Sequence, residues 1–273
     1  MTSPDPRALD VAWLRAQQPA RHDTGLLVDR IREHLELHDG YVSLSGGKDS
    51  LVVLDLALRA DRNVPVCFFD SGLEFPETIT YLDTLETHYG IHIDTYPAQP
   101  SLLEVLIDSG AWDLARPSAA APALDQILIH RPAACAASDH GDGVLWGLRA
   151  DESRARQILF SSNLPSTCPC CTTDRERRYR HGGTTSSKSG VRYSPIWDWT
   201  SHDVWNHITR HQLPVNPAYA KLRALGAPPA AQRISHLVDG DLLDKGRLAW
   251  IRAGWPELWQ PLVRCLPRLT SLV

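Results

Sequence analysis

Residues 41–50 read YVSLSGGKDS: an apolar run, two glycines, a lysine and an aspartate. The run, bounded by glycines, is that of a short buried strand. Residues 51–60 then place Leu51, Val52, Leu54, Leu56 and Leu58 at the density of a buried helix. A strand, a glycine turn and a helix start form an anion cradle. Backbone N–H groups at Ser45, Gly46 and Gly47 can face a phosphate, and the helix dipole adds partial positive charge. Lys48 supplies a full charge, and Ser45 and Ser50 supply hydroxyls. The stretch is not a Walker loop of the form G-x-x-x-x-G-K-S/T. Val42 occupies the place of its first glycine, and Asp49 that of its hydroxyl residue. A carboxylate beside phosphates is repulsive unless a divalent cation lies between them. Mg²⁺ binds through one or two carboxylates and substrate phosphates. Asp49 therefore points to a magnesium-bridged pyrophosphate, the β,γ-phosphates of ATP, with cleavage at the α-phosphate. The plainer alternative is a glycine turn with a helix cap.

Outward from this loop, strands are expected over residues 64–69, 91–96 and 144–148, and helices over 75–89 and from 102. Upstream, Leu26, Leu27, Ile31, Leu35 and Leu37 recur at helical spacing in a lead-in over residues 1–40, which Gly40 would close at the C′ position. Strand and helix alternate, and the strands are continuously apolar. That pattern predicts an α/β fold with a doubly wound parallel sheet. Its ligands bind at the carboxyl ends of the strands, so the loops to watch are 45–50, 70–74 and 149–156. Asp70 and Glu74 could hold metal-bound water or ribose, or start a helix. Residues 161–192 are polar and rich in cysteine and arginine, which reads as a mobile or ligand-held loop. Thr200 and Asp203 form a capping-box pattern opening a helix through Val204, Trp205 and Ile208. The tail from residue 237 reads as helical, with Trp250, Trp255 and Trp259 packing inward. Trp197, Trp199 and Trp205 are expected in the core.

Composition narrows the class. The chain has 273 residues, 43% hydrophobic and 22% charged, so one sizeable domain with an extension can bury about three quarters of its unfolded surface. Net charge is −4, which gives no global attraction to polyanions. The N-terminus lacks the apolar core of a signal peptide, and no stretch is long and apolar enough to span a membrane. A cytoplasmic protein is expected, with its six cysteines as thiols or ligands rather than disulfides.

Four ordered motifs resemble the PP-loop ATP pyrophosphatases, in the branch that includes phosphoadenylylsulfate (PAPS) reductase. The loop S-G-G-K-D-S at 45–50 is the first. F-F-D-S-G-L-E-F-P-E-T at 68–78 is similar to the branch's second-strand motif. G-L-R-A-D-E-S-R-A-R at 147–156 is similar to its G-x-R-x-x-E-S-x-x-R anion motif. Y-S-P-I-W-D-W-T-S-H-D-V-W at 193–205, with N-P-A-Y at 216–219, resembles its C-terminal region. The resemblance covers residues 41–219. It implies an adenine nucleotide alpha hydrolase-like fold with a helical C-terminal extension over 220–273. It implies a nucleotide site formed by Ser43, Leu44, Ser45, Gly46, Gly47, Lys48, Asp49, Ser50, Asp70, Gly147, Arg149, Ser153 and Arg156. It further implies that Lys48, Asp49, Arg149 and Arg154 carry the chemistry, with Mg²⁺ on Asp49 and ATP as the nucleotide.

The branch holds several chemistries. A reductase uses a nucleophilic cysteine in a C-terminal E-C-G-I/L-H motif, which this chain lacks; Cys265 reads as buried and apolar. The lost motif favours an ATP pyrophosphatase that activates a substrate for sulfur incorporation, with DNA phosphorothioation as the pathway. The alternatives are a PAPS or APS reductase using a loop cysteine, and a non-catalytic nucleotide-sensing or DNA-docking subunit. Cys168, Cys170 and Cys171 could bind an iron–sulfur cluster or zinc with a fourth ligand such as Cys135, form a redox pair, or remain free thiols. His181, His202 and His236 show no metal-ligand spacing. Nine lysines and arginines face four acidic residues between 149 and 192, so positive charge concentrates there. It suits a nucleotide or a DNA backbone, or simply makes local ion pairs. Expected partners are an adenine nucleotide, DNA, other sulfur-transfer proteins and a second copy of the chain.

Overall fold

A computed structural model describes residues 21–109, 123–187, 190–235 and 247–273. His236 and Lys188 lie outside them, as do residues 1–20 of the lead-in. Helix α1 (Thr24–Leu37) precedes β1 (Val42–Leu44), α2 (Lys48–Ala60), β2 (Val66–Asp70), α3 (Pro76–Tyr89), β3 (Ile93–Pro97) and α4 (Leu102–Ser109). A π-helical turn leads into α5 (Arg131–His140), then β4 (Gly143–Trp146), α6 (Arg154–Asn163), α7 (Asp174–His181), β5 (Thr184–Ser187) and β6 (Gly190–Tyr193). The chain continues through α8 (Ser201–Arg210), α9 (Ala218–Ala224), α10 (Arg247–Gly254) and α11 (Pro256–Cys265).

The six strands form one sheet in the order β3-β2-β1-β4-β6-β5. β1 runs parallel to β4, with Val42 opposite Leu145, and β4 runs parallel to β6. β5 turns back antiparallel on β6. From β1 the chain moves outward through β2 and β3, then returns to place β4 on the other side of β1. The strand order reverses between β1 and β4, and a ligand crevice opens at the carboxyl ends of strands at such a switch point. The fold is the doubly wound α/β sheet expected.

Contacts divide the described chain into two compact units. The first comprises residues 21–44, 48–67 and 136–215; the second comprises 45–47, 68–135 and 216–273. The first has its core on β1, α2, β4 and α8, through Val42, Leu44, Leu51, Val52, Leu54, Leu145, Val204 and Ile208, all buried. Nine consecutive residues of α2, 50–58, are buried. Helices buried all round are core elements, which explains why residues 51–58 are apolar except for Asp55, whose carboxylate lies 2.8 Å from the His207 ring. The second has Phe68, Phe75, Tyr81, Leu85, Trp255 and Leu262 inside. Trp255 is fully buried against Phe75, their rings 4.4 Å apart, and its indole N–H donates to Glu77 at 2.7 Å.

Several expectations need correction. Gly40 does not close α1. The helix ends at His38 in extended conformation, and Gly40 is not among the glycines with positive φ. It is required because a Cβ there would lie 1.7 Å from the Gly143 carbonyl oxygen. The polar segment 161–192 is not an irregular loop, since it carries α7 and the β5–β6 hairpin. Apolar periodicity fails to reveal α7 because none of its residues is buried. Its place is fixed by polar and cation–π contacts, with Arg30 bonded to the Tyr179 carbonyl and stacked 4.3 Å over the Tyr193 ring. Cys265 is exposed, not buried. Trp197 and Trp199 are buried as expected, whereas Trp205 and Trp250 are half-buried. The Thr200–Asp203 capping box forms, with the Thr200 hydroxyl and N–H both bonded to the Asp203 carboxylate.

Candidate nucleotide site

The loop after β1 is built for close approach. Gly46 sits at φ +73°, a conformation that favours glycine. In the second unit it is clamped from behind. The Asn216 side-chain amide donates to the Gly46 carbonyl at 3.3 Å and to the Thr78 hydroxyl at 3.0 Å. The Asn216 oxygen accepts the Ala218 N–H at 3.0 Å, which orients the amide. A Cβ at Gly47 would meet the Tyr219 hydroxyl at 3.4 Å. Asn216 and Thr78 are buried. The Asn216-Pro-Ala-Tyr219 motif thus acts as a brace for the loop, a role its sequence did not disclose.

In the first unit, α2 begins at Lys48, so the loop's N–H groups lie at a helix N-terminus. Asp49 is doubly engaged. One carboxylate oxygen accepts Lys48 Nζ at 2.6 Å and the other accepts Arg149 Nε at 2.7 Å. Two cationic side chains thus meet the Asp49 carboxylate. Arg149 is only 3% exposed. It also donates to Asp151 at 3.3 Å and to the Trp199 carbonyl at 3.2 Å. Its guanidinium is therefore a buried brace for Asp49. Gly147 explains itself in the same place: a Cβ would lie 2.7 Å from the Ser50 N–H nitrogen and 2.8 Å from the Asp49 carbonyl carbon. Only glycine lets the end of β4 pass beneath the first turn of α2.

The remaining expected residues take separate places. Ser43 and Leu44 are in β1, and Ser50 is buried in the first turn of α2. Ser153 caps α6 by accepting the Arg156 N–H at 3.2 Å, and Arg156 pairs with Glu152. Arg154 is exposed at the first position of α6. In the second unit, Asp70 accepts the Gly72 N–H at 2.8 Å in a side-chain turn. Burial raises the Glu74 carboxyl to about 7, against a hydrogen bond from the Ser71 hydroxyl at 2.6 Å. Both residues hold the turn before α3.

Three of the α7 arginines meet carboxylates: Arg177 pairs with Asp174, Arg180 with Glu176 at 3.2 Å, and Arg178 with Asp198 at 3.9 Å. Much of the local positive charge is thus spent on ion pairs. The donor atoms of Cys168, Cys170, Cys171 and His181 all lie within 4.8 Å of one another. The fourth member of the cysteine cluster is His181, to which the sequence reading gave no role, and not Cys135. The missed signal was a histidine on the last turn of a helix that follows the cysteines by one turn of loop. Hydrogen bonding with Cys170 holds the Cys168 thiol below its ordinary range.

A glycine loop at the switch point of a doubly wound sheet, with its lysine, aspartate and arginine in contact, defines a nucleotide-binding α/β protein. The phosphoadenosine phosphosulfate reductase domain matches residues 40–230, and the chain belongs to that family. Among similar proteins, sulfate adenylyltransferase subunit 2 of Streptomyces lavendulae is 29% identical over 65% of this chain and 55% of its own length. An adenosine 5'-phosphosulfate reductase of Pseudomonas aeruginosa is 25% identical over 71% of this chain and 67% of its own. The chain therefore spans little more than half of the first of these and about two thirds of the second. A PAPS reductase structure from Candida auris, in a phosphate complex, covers 83% of this chain and 95% of its own at 18% identity, with a TM-score of 0.46. Among the described residues, no helix is long and apolar enough to cross a membrane.

Proposed function

We propose that this chain is an ATP pyrophosphatase that activates a substrate for sulfur incorporation. The observation that carries the reading is the loop of residues 45–50 at the N-terminus of α2, with Lys48 held by Asp49 and Asp49 by Arg149. N–H groups and a lysine cradle the β,γ-phosphates. An acceptor oxygen attacks the α-phosphorus, the bond from that phosphorus to the bridging oxygen breaks, and pyrophosphate leaves with the bond's electron pair. Lys48 meets charge developing on the leaving group. Asp49 fits a magnesium ion carried by the nucleotide, because each of its oxygens keeps a lone pair beyond its present hydrogen bond. Magnesium would supply further charge neutralisation on the phosphates. Arg154, exposed at the start of α6, is free of the constraint that buries Arg149 and is the better candidate to reach the α-phosphoryl group.

DNA phosphorothioation remains the pathway we favour. Its support is Arg154 and Arg175, exposed on α6 and α7. DNA and other sulfur-transfer proteins would then be its partners. Reduction of PAPS or APS is the competing reading. It is supported by the reductase relative.

Product analysis separates them. With ATP and magnesium we expect AMP or an adenylate plus pyrophosphate, reduced about 100-fold or more in Lys48→Ala. ADP and orthophosphate, or thiol-dependent sulfite release from PAPS or APS without ATP, would overturn the proposal.

A further inference from the structure

The segment from residue 161 to 181 contains no buried residue, yet it holds a folded turn and the helix α7. Hydrophobic packing does not hold such a segment; α7 is placed by its polar and cation–π contacts, which leaves the turn of residues 168–171 to its own donors. Four soft or borderline donors converge there. Cys170 Sγ lies 3.6 Å from Cys171 Sγ and 3.4 Å from His181 Nε2. A tetrahedral zinc site with Zn–S of about 2.3 Å separates neighbouring sulfurs by roughly 3.8 Å, close to these spacings.

We propose that Cys168, Cys170, Cys171 and His181 form a structural zinc site that pins the turn to the end of α7. The backbone is arranged for it. The Cys170 N–H points at Cys168 Sγ at 3.4 Å, and the Cys171 N–H bonds the Cys168 carbonyl at 3.2 Å. The first contact stabilises a thiolate, and the second closes a tight turn that turns the sulfurs inward. His181 is delivered by the last residue of α7, whose end is fixed from the other side. A Cβ at Gly182 would lie 2.4 Å from both the Arg178 carbonyl oxygen and the Trp197 ring. Arg178 also stacks 4.6 Å over that ring. Convergence of all four donors within 4.8 Å suits a single ion. A four-iron cluster spreads its thiolates around a cube and needs wider spacing. Three thiolates and one imidazole form a closed set, with no open position for substrate, so the role is structural.

The test is metal analysis of the purified full-length chain. We expect about one zinc per chain and no acid-labile sulfide. Cobalt in its place should give thiolate charge-transfer bands and the intense visible bands of a tetrahedral site. Competition against a chromophoric chelator should show zinc affinity falling by more than about 100-fold in Cys171→Ser and His181→Ala, beyond the loss of a supporting contact. His181→Cys should restore it, and Cys135→Ser should leave it unchanged. Because the wild-type competition stands alone, a variant that misfolds does not blunt the test. Zinc well below one per chain after reconstitution, equal affinity in the ligand variants, or iron with stoichiometric sulfide would overturn the site. None of these outcomes bears on pyrophosphate release, which is read separately.

Discussion

Lys48, Asp49 and Arg149 sit in one chain of contact but should fail differently. Arg149 is buried against Asp49, so removing it takes from that carboxylate one of its two cations, whereas Asp151 is open to water. Losing one partner of a buried pair costs about 3–5 kcal/mol. Lys48 is nearer the surface, its side chain 13% exposed, and its loss strands less. Arg149→Met should therefore lower the melting temperature by roughly 6–20 °C, at about 2–4 °C per kcal/mol for a chain of this size. Lys48→Met should move it little while weakening nucleotide binding. Thermal melts beside nucleotide titrations decide it, and equal melting losses in the two variants would refute the division of roles. Glu74 belongs at this scale too. Its folded pKa of about 7 exceeds the ordinary 4.5. The native state thus binds a proton more tightly than the unfolded chain. The stabilisation is full below about pH 4.5 and disappears as pH rises through about 7. It amounts to roughly 3 kcal/mol. Glu74→Gln should be more stable than wild type at pH 8 and should flatten the fall in stability between pH 5 and 8, which chemical denaturation across that range measures.

At the level of elements, the loop is held by contacts that sequence separation hides. Asn216 reaches Gly46 across 170 positions. Asn216→Ala should free the loop, costing about 1–3 kcal/mol for the stranded buried groups, and should raise the nucleotide dissociation constant more than a surface alanine does. Gly147→Ala tests the packing of β4 beneath α2. The added methyl meets backbone atoms that cannot yield like a side chain, so α2's first turn must shift, at a typical overpacking cost of 1–3 kcal/mol. Calorimetry and nucleotide titration on both variants check this. Wild-type binding in Gly147→Ala would show that the helix start is not the anion cradle.

Across the whole molecule, the two units carry opposite acid responses. In the first unit, burial lowers the His34 imidazole to about 4, so this residue is neutral when folded. The unfolded chain takes the proton below about pH 6.5, and the contribution of His34 is lost as pH falls from there towards 4. In the second unit Glu74 loses its contribution in the other direction. Hydrogen exchange at pH 5 and pH 8 should show protection in α1 and β1 weakening at the acidic value and protection in α3 weakening at the alkaline one. Parallel changes in both would contradict the assignment.

The α/β class, the switch-point loop and most element positions could be read directly from residues 41–219, because a buried strand and a buried helix write apolar runs that no other environment tolerates. The loop's lysine and aspartate were also legible, since glycines before a helix have few other uses. The partners of that aspartate were not. Only the folded chain brings Arg149 beside Asp49 from 100 residues away. The same holds for α7, which buries nothing and leaves no apolar period, and for His181, whose meaning depends on a helix end turning it toward three cysteines. Local sequence determines what each segment must bury. Which polar groups then meet is decided by tertiary structure, because a hydrogen bond or ion pair depends on distance in space and leaves no period along the chain.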